Sequence, residues 1–169
     1  DSTTLWGTIV AGGSGLGGVA TAISQLEPST QAIVLGFAGV AIKPGKPVAF
    51  GKVGSALFLG LPGNPIASLV TWTLFGKAVL NALAGSRKPD NMHRVICDSH
   101  LAHKHGRREF RLAKLGPQSN SGFEKVIVST QPSSADISQL MHADGMVSLP
   151  AGSGGVKPGT PLEFIAFNL

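Results

Sequence analysis

The stretch VAIKPGKPVAFGKVGSALFLGLPGNPIASL, residues 40–69, decides how the rest of the chain is interpreted. It contains two proline-rich turns, KPGKP at 43–47 and LPGNP at 61–65, and it has no acidic residue. Each proline fixes its own φ and restricts the preceding residue, so Lys43 and Lys46 are held on a stiff loop. A third lysine, Lys52, follows closely. The stretch is predicted to hold an anion, the alternative being a solvated basic turn.

The residues between and after the two turns predict a hairpin and a helix. Residues 48–53 and 56–61 are expected to pair around Gly54-Ser55. In the second turn Asn64 is a favoured N-cap and Pro65 suits the first helical position, so a helix is predicted to follow and to end at Gly85. The apolar run at 66–84 contains several polar side chains, which favours a buried core helix over a membrane span.

A glycine-rich segment, GGSGLGG at residues 12–18, precedes this region. It follows an apolar segment at 7–11 and leads into a helical pattern at 19–26, an order that predicts a strand, a loop and a helix. Glycines let the backbone approach a ligand, and a helix N-terminus offers N–H groups to an anion. No Lys-Ser or Lys-Thr pair follows the last glycine, so this is not a P-loop. A simple tight turn explains the segment equally well.

Composition limits the classes of function. The 169 residues, 43% hydrophobic and 14% charged, are typical of one medium or two small globular domains. The net charge of +5 suits an anionic ligand, whereas the sparse aromatic residues do not alternate with basic ones as in single-strand binders, so we expect no nucleic acid partner. The single cysteine, Cys97, excludes an intrachain disulfide and a cysteine-based zinc site, and it suits the cytoplasm. No secretory signal is recognised at the start of the sequence.

The second half predicts a separate all-β unit. Short segments in which apolar and polar residues alternate favour a small barrel or sandwich. These segments are residues 93–98, 108–115, 125–130, 145–149 and 161–167. One or two helical turns are expected within 134–142. On a strand, Arg107 and Arg111 would share one face and Arg108 would occupy the other. His100, His103 and His105 lack an acid or cysteine at metal-binding spacing and are interpreted as a solvated loop.

The two turns carry a resemblance to a known family. IKPGKPVAFGK at 42–52 followed by GLPGNPIASLVTW at 60–72 resembles the molybdopterin molybdotransferases, the MoeA and gephyrin E-domain family of molybdenum cofactor synthesis. GGSG at 12–15, GRREF at 106–110, QPSS at 131–134 and residues 142–164 extend the resemblance over nearly the whole chain, although family members are much longer. It implies an α/β fold, a partial three-layer pterin-binding domain, in residues 1–86, followed by a small all-β barrel-like domain in residues 87–169.

The resemblance also implies a reaction. The family's enzymes bind adenylylated molybdopterin and molybdate, hydrolyse the adenylate with Mg²⁺, and insert molybdenum at the dithiolene. It implies catalytic roles for Lys43 and Lys46, which would meet the charge of molybdate or phosphate. It implies substrate or anion contacts at Gly12, Gly13, Ser14, Gly15, Pro47, Pro62, Gly63, Asn64, Pro65, Arg107 and Ser133 or Ser134. A cytoplasmic homodimer with a small-molecule pterin substrate, no nucleic acid and no membrane is the expected setting.

Several positions depart from the family pattern. Gly18, Val19 and Ala20 stand where the family has acids, and Gly39 stands where it has a further lysine. Since Mg²⁺ prefers carboxylate oxygens, no metal ligand is predicted in this chain. Three hypotheses stay open: a molybdotransferase whose acids lie in other domains or in a partner subunit, a catalytically weakened molybdopterin- or molybdate-binding protein, and a non-catalytic fragment with solvated basic loops. Little or no turnover is expected of these residues alone.

Overall fold

A computed structural model of the protein describes residues 33–86, 92–119, 122–128 and 137–167. The glycine-rich segment at 12–18, with the strand and helix predicted on either side of it, lies outside the described residues. The described part of the first half contains four strands, β1 (Ile33–Ala38), β2 (Ile42–Lys43), β3 (Ala49–Val53) and β4 (Ala56–Gly60). Three of them form an antiparallel sheet in the order β1-β3-β4, and the short strand β2 lies between β1 and β3 in sequence. This antiparallel sheet gives no support to the α/β arrangement expected for residues 1–86.

Strands β3 and β4 form the hairpin that the sequence predicts. Val53 pairs with Ala56, which leaves Gly54 and Ser55 as a two-residue turn. Gly54 has a φ of +58°, and tight hairpin turns need such a left-handed residue because it matches the twist of the two strands. The hairpin prediction is confirmed.

The helix α1 (Pro65–Leu83) begins and ends where the sequence predicts. The side chain of Asn64 accepts a hydrogen bond of 3.1 Å from the backbone N–H of Ala67, and Pro65 occupies the first position. The middle of the helix, Trp72–Gly76, is a π-helical turn. Past its end, Gly85 has a φ of +63°, the conformation of a C′ residue.

Burial of α1 is uneven along its length. Its first segment, Pro65–Thr71, buries Ile66, Ala67, Val70 and Thr71, whereas the last segment, Lys77–Leu83, has no buried residue. The prediction of a buried core helix is therefore correct for the first half of α1 only. By length and composition alone the helix is also apolar enough to cross a membrane, and 33% of its most apolar window is buried, a test that core helices of soluble proteins pass as well.

Five described strands of the second half close into a barrel, as the alternating segments predict. These strands are β5 (Met92–Cys97), β7 (Arg108–Gln118), β8 (Glu124–Val128), β9 (Gly145–Leu149) and β11 (Pro161–Ala166). β7 pairs with β8, β8 with β5, β5 with β11, and β11 with β9. Because β9 also pairs with β7, the series of pairings returns to its first strand. Between these strands lie β6 (Leu101–Ala102) and β10 (Gly155–Val156), which pair with each other, and the short helix α2 (Ser138–His142).

Strand β7 separates two apolar cores. Its register with β9 places Glu109, Arg111 and Ala113 on the same face as Val147 and Leu149, which is the inside of the barrel. The barrel core consists of Val95, Cys97, Leu101, Ala113, Val126, Val128, Val147, Leu149, Val156, Leu162 and Phe164. The opposite face of β7 contributes to a second core made of Ile42, Ile66, Val70, Phe110, Leu112 and Met146. This second core joins the first half of the chain to the barrel.

Candidate functional site

The lysine-containing turn is attached directly to the barrel. Strand β2 pairs in parallel with the start of β7, with Ile42 opposite Arg108 and Lys43 opposite Glu109. In addition, the N–H of Arg108 donates a 3.1 Å hydrogen bond to the carbonyl of Ala41. Arg107, which precedes Arg108, is therefore next to the turn, so two groups that lie 64 positions apart in the sequence are neighbours in the structure.

Backbone hydrogen bonds close the turn at its base. The N–H of Gly39 donates to the carbonyl of Val48 at 2.8 Å, and the N–H of Val40 donates to the carbonyl of Lys46 at 3.0 Å. Inside the loop, the N–H of Val48 donates to the carbonyl of Gly45 at 3.2 Å. The Lys43–Pro44 peptide is cis. The three hydrogen bonds hold the backbone of the turn that carries Lys43 and Lys46.

Gly45 packs the turn against helix α1. It is buried and has a φ of +109°. A Cβ at this position would lie 2.5 Å from Cγ2 of Thr71 and 3.1 Å from Cδ1 of Ile42, so only glycine fits without displacement of neighbouring atoms. Thr71 is itself fixed, because its hydroxyl donates a 2.8 Å hydrogen bond to the carbonyl of Ala67. The turn therefore has a rigid support.

Three cationic side chains line this region, and we call Lys43, Lys46 and Arg107 the basic surface. All three residues are exposed, as is Pro47 in the same turn. Within the described part of the chain, Lys46 and Arg107 take part in no ion pair, whereas Lys43 contacts Glu109. Lys52 lies on β3, also exposed, and belongs to a different sheet from β2.

Below the basic surface is a buried ionic cluster that the sequence did not predict. Glu109 Oε1 accepts from Lys43 Nζ at 3.3 Å and from Arg111 Nε at 3.1 Å. Glu109 Oε2 lies 2.9 Å from Nδ1 of His103, and Arg111 also donates to the carbonyl of Ala102. The side chains of His103, Glu109 and Arg111 are 2%, 4% and 5% exposed, and that of Lys43 is 53% exposed. Lys43 thus connects the buried cluster to the surface.

The cluster corrects two predictions. His103 was expected in a solvated loop, but it is buried against Glu109, while His100 and His105 are exposed as predicted. Arg107 and Arg111 were expected on one face of a strand, but β7 begins at Arg108, so Arg107 is exposed and Arg111 points into the barrel. Glu109 is the partner of Arg111, and the alternation in REFRL, which places these two opposite charges on one face, could have indicated the pair but not its burial.

The cluster keeps Glu109 ionised. Burial raises the pKa of the Glu109 carboxyl group, but hydrogen bonds from His103 and Arg111 and the charges of Arg111 and Lys43 outweigh that effect. Its pKa therefore lies below the usual value of 4.5. A buried carboxylate is tolerated only when it is paired in this way.

The second turn has a structural part in the fold. Pro62 is buried, and its carbonyl accepts a hydrogen bond from the hydroxyl of Ser68. Asn64 caps the helix, and Gly63 and Pro65 are exposed. The lysine-containing turn packs on Thr71, seven residues or about 10 Å along the helix from Asn64. Of the remaining predicted contacts, Gly12, Gly13, Ser14, Gly15, Ser133 and Ser134 lie outside the described residues.

The described residues do not fit a magnesium site. The sequence has no aspartate or glutamate between Glu27 and Asp90, so the whole described part of the first half lacks carboxylates. No group of three or more His, Cys, Asp or Glu side chains that could hold a metal occurs within residues 33–86, 92–119, 122–128 and 137–167. Glu109, next to the basic surface, already has three cationic or N–H partners.

Fold and site together define a class of protein: a closed β-barrel domain with a rigid, proline-containing basic turn attached to one of its strands. Residues 94–167 match the family described as MoeA C-terminal region (domain IV). The chain is 32% identical over 128 residues to Molybdopterin molybdenumtransferase 2 of Mycobacterium tuberculosis H37Rv, covering 75% of this chain and 31% of the relative. It is 37% identical over 106 residues to Molybdopterin molybdenumtransferase of Haemophilus influenzae, covering 61% of this chain and 25% of that protein.

A solved structure shows the same fold. A molybdopterin biosynthesis MoeA protein from Pyrococcus horikosii aligns with a TM-score of 0.69 at 23% identity, covering 91% of this chain and 36% of the other. The match of residues 94–167 and the similarity to these relatives support a C-terminal part of the MoeA family. The chain spans about a quarter to a third of the length of the curated relatives named above.

Proposed function

We propose that the chain is part of a molybdopterin molybdotransferase and that its basic surface binds the oxyanion of the reaction. The observation that carries this proposal is the pairing of β2 with β7, which brings the Lys43 turn beside Arg107. The substrates would be molybdate and adenylylated molybdopterin, and the relatives' name, molybdopterin molybdenumtransferase, supports transfer of molybdenum to a molybdopterin. The catalytic roles of Lys43 and Lys46 are part of the proposal.

The chemistry of the basic surface suits a tetrahedral oxyanion. A lysine ammonium is a compact charge with three donors, and an arginine presents a planar fork of N–H groups. Charge-assisted hydrogen bonds to an oxyanion are about twice as strong as neutral ones. Lys46 and Arg107 have no ion pair within the described residues that an anion would need to displace. These side chains would bind and orient molybdate or a phosphate group.

Hydrolysis of the adenylate belongs to the whole protein in this proposal. The family resemblance implies Mg²⁺ as cofactor, but the described residues do not supply its ligands. The carboxylates would come from other domains or from the partner in a homodimer. A cytoplasmic setting without nucleic acid or membrane partners completes the proposal. The alternative is a catalytically weakened protein that binds molybdopterin or molybdate. Unlike the transferase, such a protein would bind molybdate without turnover even in its full-length form.

Molybdate binding measured by calorimetry tests the proposal. Lys46→Ala removes one charge-assisted hydrogen bond, which is worth about 1.5 kcal/mol or about ten-fold in Kd. Because Lys46 is exposed, the melting temperature should stay unchanged. Lys52→Ala is the matched control, an exposed lysine of the other sheet that should bind molybdate like the wild type.

Crystals soaked with tungstate give an independent test by anomalous scattering. The metal should lie within contact of Lys46 and Arg107. A protein that binds no molybdate, or a tungstate site distant from both side chains, would refute the proposed binding surface. Adenylate hydrolysis with Mg²⁺ and molybdate, assayed on a full-length form, then separates the transferase from the weakened binding protein.

A further inference from the structure

Glu109 is the residue through which the lysine-containing turn is connected to the barrel interior. It lies opposite Lys43 in the parallel pairing of β2 with β7 and opposite Leu149 on the other edge of β7. The backbone pairing fixes only the Cα of Lys43. The ammonium group is carried on four methylene groups, which have many conformations unless the charged end is held.

The contacts of Glu109 restrict its own carboxylate first. Arg111 approaches Oε1 at 3.1 Å and His103 approaches Oε2 at 2.9 Å, and all three side chains are more than nine-tenths buried. Arg111 is held in turn by the carbonyl of Ala102 on β6. The carboxylate therefore has a fixed orientation before Lys43 contacts it.

Lys43 keeps most of its binding capacity in this arrangement. Its single contact with Glu109, 3.3 Å from Nζ to Oε1, uses one of the three ammonium donors. Its side chain is 53% exposed, so the other two donors remain accessible. The net charge of Lys43, Arg111 and Glu109 together is positive, so the region still attracts an anion.

We propose that Glu109 is a positioning residue that holds the Lys43 ammonium at the basic surface, and that Arg111 and His103 orient Glu109 for this purpose. The inference rests on the proposed function, in which the Lys43 ammonium binds the oxyanion. Glu109 itself does not contact the anion, because it is buried and negatively charged. Its effect on binding passes through Lys43.

The structure allows a sharp test of this dependence by a double-mutant cycle in molybdate affinity. Glu109→Gln should weaken binding about two- to ten-fold, the range expected when one long side chain has to be ordered on binding. In a Lys43→Ala background the same Glu109→Gln change should have no effect. Glu163→Gln is the matched control, because Glu163 pairs with Arg108 at the start of β7 but is 54% exposed. It should leave affinity unchanged.

Two outcomes of the cycle would overturn the proposal. Tighter binding by Glu109→Gln would mean that the negative charge acts on the anion directly. An equal loss in both backgrounds would mean that Glu109 supports the fold and acts independently of Lys43. If Glu109→Gln does not fold, because it leaves Arg111 buried without its partner, the double change Glu109→Gln with Arg111→Met removes both charges and is used instead.

A second readout needs no anion and separates this inference from the proposed function. Carbon-13 relaxation of the lysine Cε groups should show Lys43 more ordered than Lys52 in the free protein, and Glu109→Gln should reduce the order of Lys43 to that of Lys52. Failure of molybdate to bind while Lys43 is ordered by Glu109 refutes the proposed function only. A Lys43 side chain as mobile as Lys52 in the wild type refutes the positioning role.

Discussion

Replacement of Gly45 by alanine tests whether the lysine-containing turn is packed against helix α1 as described. An L-residue at φ +109° costs about 1–2 kcal/mol, because Cβ approaches the backbone. The new Cβ would also lie 2.5 Å from Thr71 Cγ2, and overpacking of this kind costs about 1–3 kcal/mol. The free energy of unfolding should fall by about 2–5 kcal/mol, the sum of these two effects.

The measurement is urea denaturation, with Gly106→Ala as control. Gly106 has nearly the same φ, +119°, but a Cβ there would meet no atom within 4 Å. The control should therefore lose only the backbone contribution, about 1–2 kcal/mol. If the two variants lost the same free energy, Gly45 would not be in contact with Thr71, and the rigid support of the turn would be refuted.

Three further predictions concern the cap, the second core and the buried cluster. Asn64→Ala should lower the free energy of unfolding by about 1 kcal/mol in urea denaturation, and an unchanged value would contradict the helix cap. Phe110→Ala, in the second core, should lower the free energy of unfolding by about 3–5 kcal/mol. Phe123→Ala is the control and should lower it far less, because Phe123 is 44% exposed. Similar losses in the two variants would contradict the second core. The pKa of Glu109 is lowered on folding, so its contribution to stability is present above the usual value of 4.5 and is lost as the pH falls through the lower folded value. Wild type should therefore lose more stability than Glu109→Gln in acid titrations, and parallel losses would contradict the ionic contacts.

Local features of the fold were predictable because neighbouring residues determine them. The hairpin depends on Gly54, the helix start on Asn64 and Pro65, and the helix end on Gly85, and each signal acts within a few residues. The barrel strands were predictable from alternation of apolar and polar residues. The family assignment followed from two short motifs and is supported by the match of residues 94–167.

The buried cluster was not predictable, because its burial depends on distant parts of the chain. Glu109 and Arg111 alternate with Phe110 and Leu112, a pattern that normally places charged side chains in solvent. Here β7 has a core on both faces, and the residues that cover its second face, Ile42, Ile66 and Val70, come from the first half of the chain. The contact between Lys43 and Glu109 spans 66 positions, and no local pattern specifies such a pairing. The strand, loop and helix expected within residues 1–32, and the anion contacts at Gly12 to Gly15, stay predictions.

The second core has a consequence for how the chain would respond to proteolysis. Ile42, Ile66 and Val70 pack on Phe110, Leu112 and Met146, and β2 is paired with β7. A protease that cut the chain between residues 86 and 92 would therefore not release two independent bodies. The two pieces should stay together through gel filtration and separate only in denaturant. A recombinant fragment starting at residue 92 would expose the apolar face of β7, and it should aggregate unless residues 33–86 are supplied in trans.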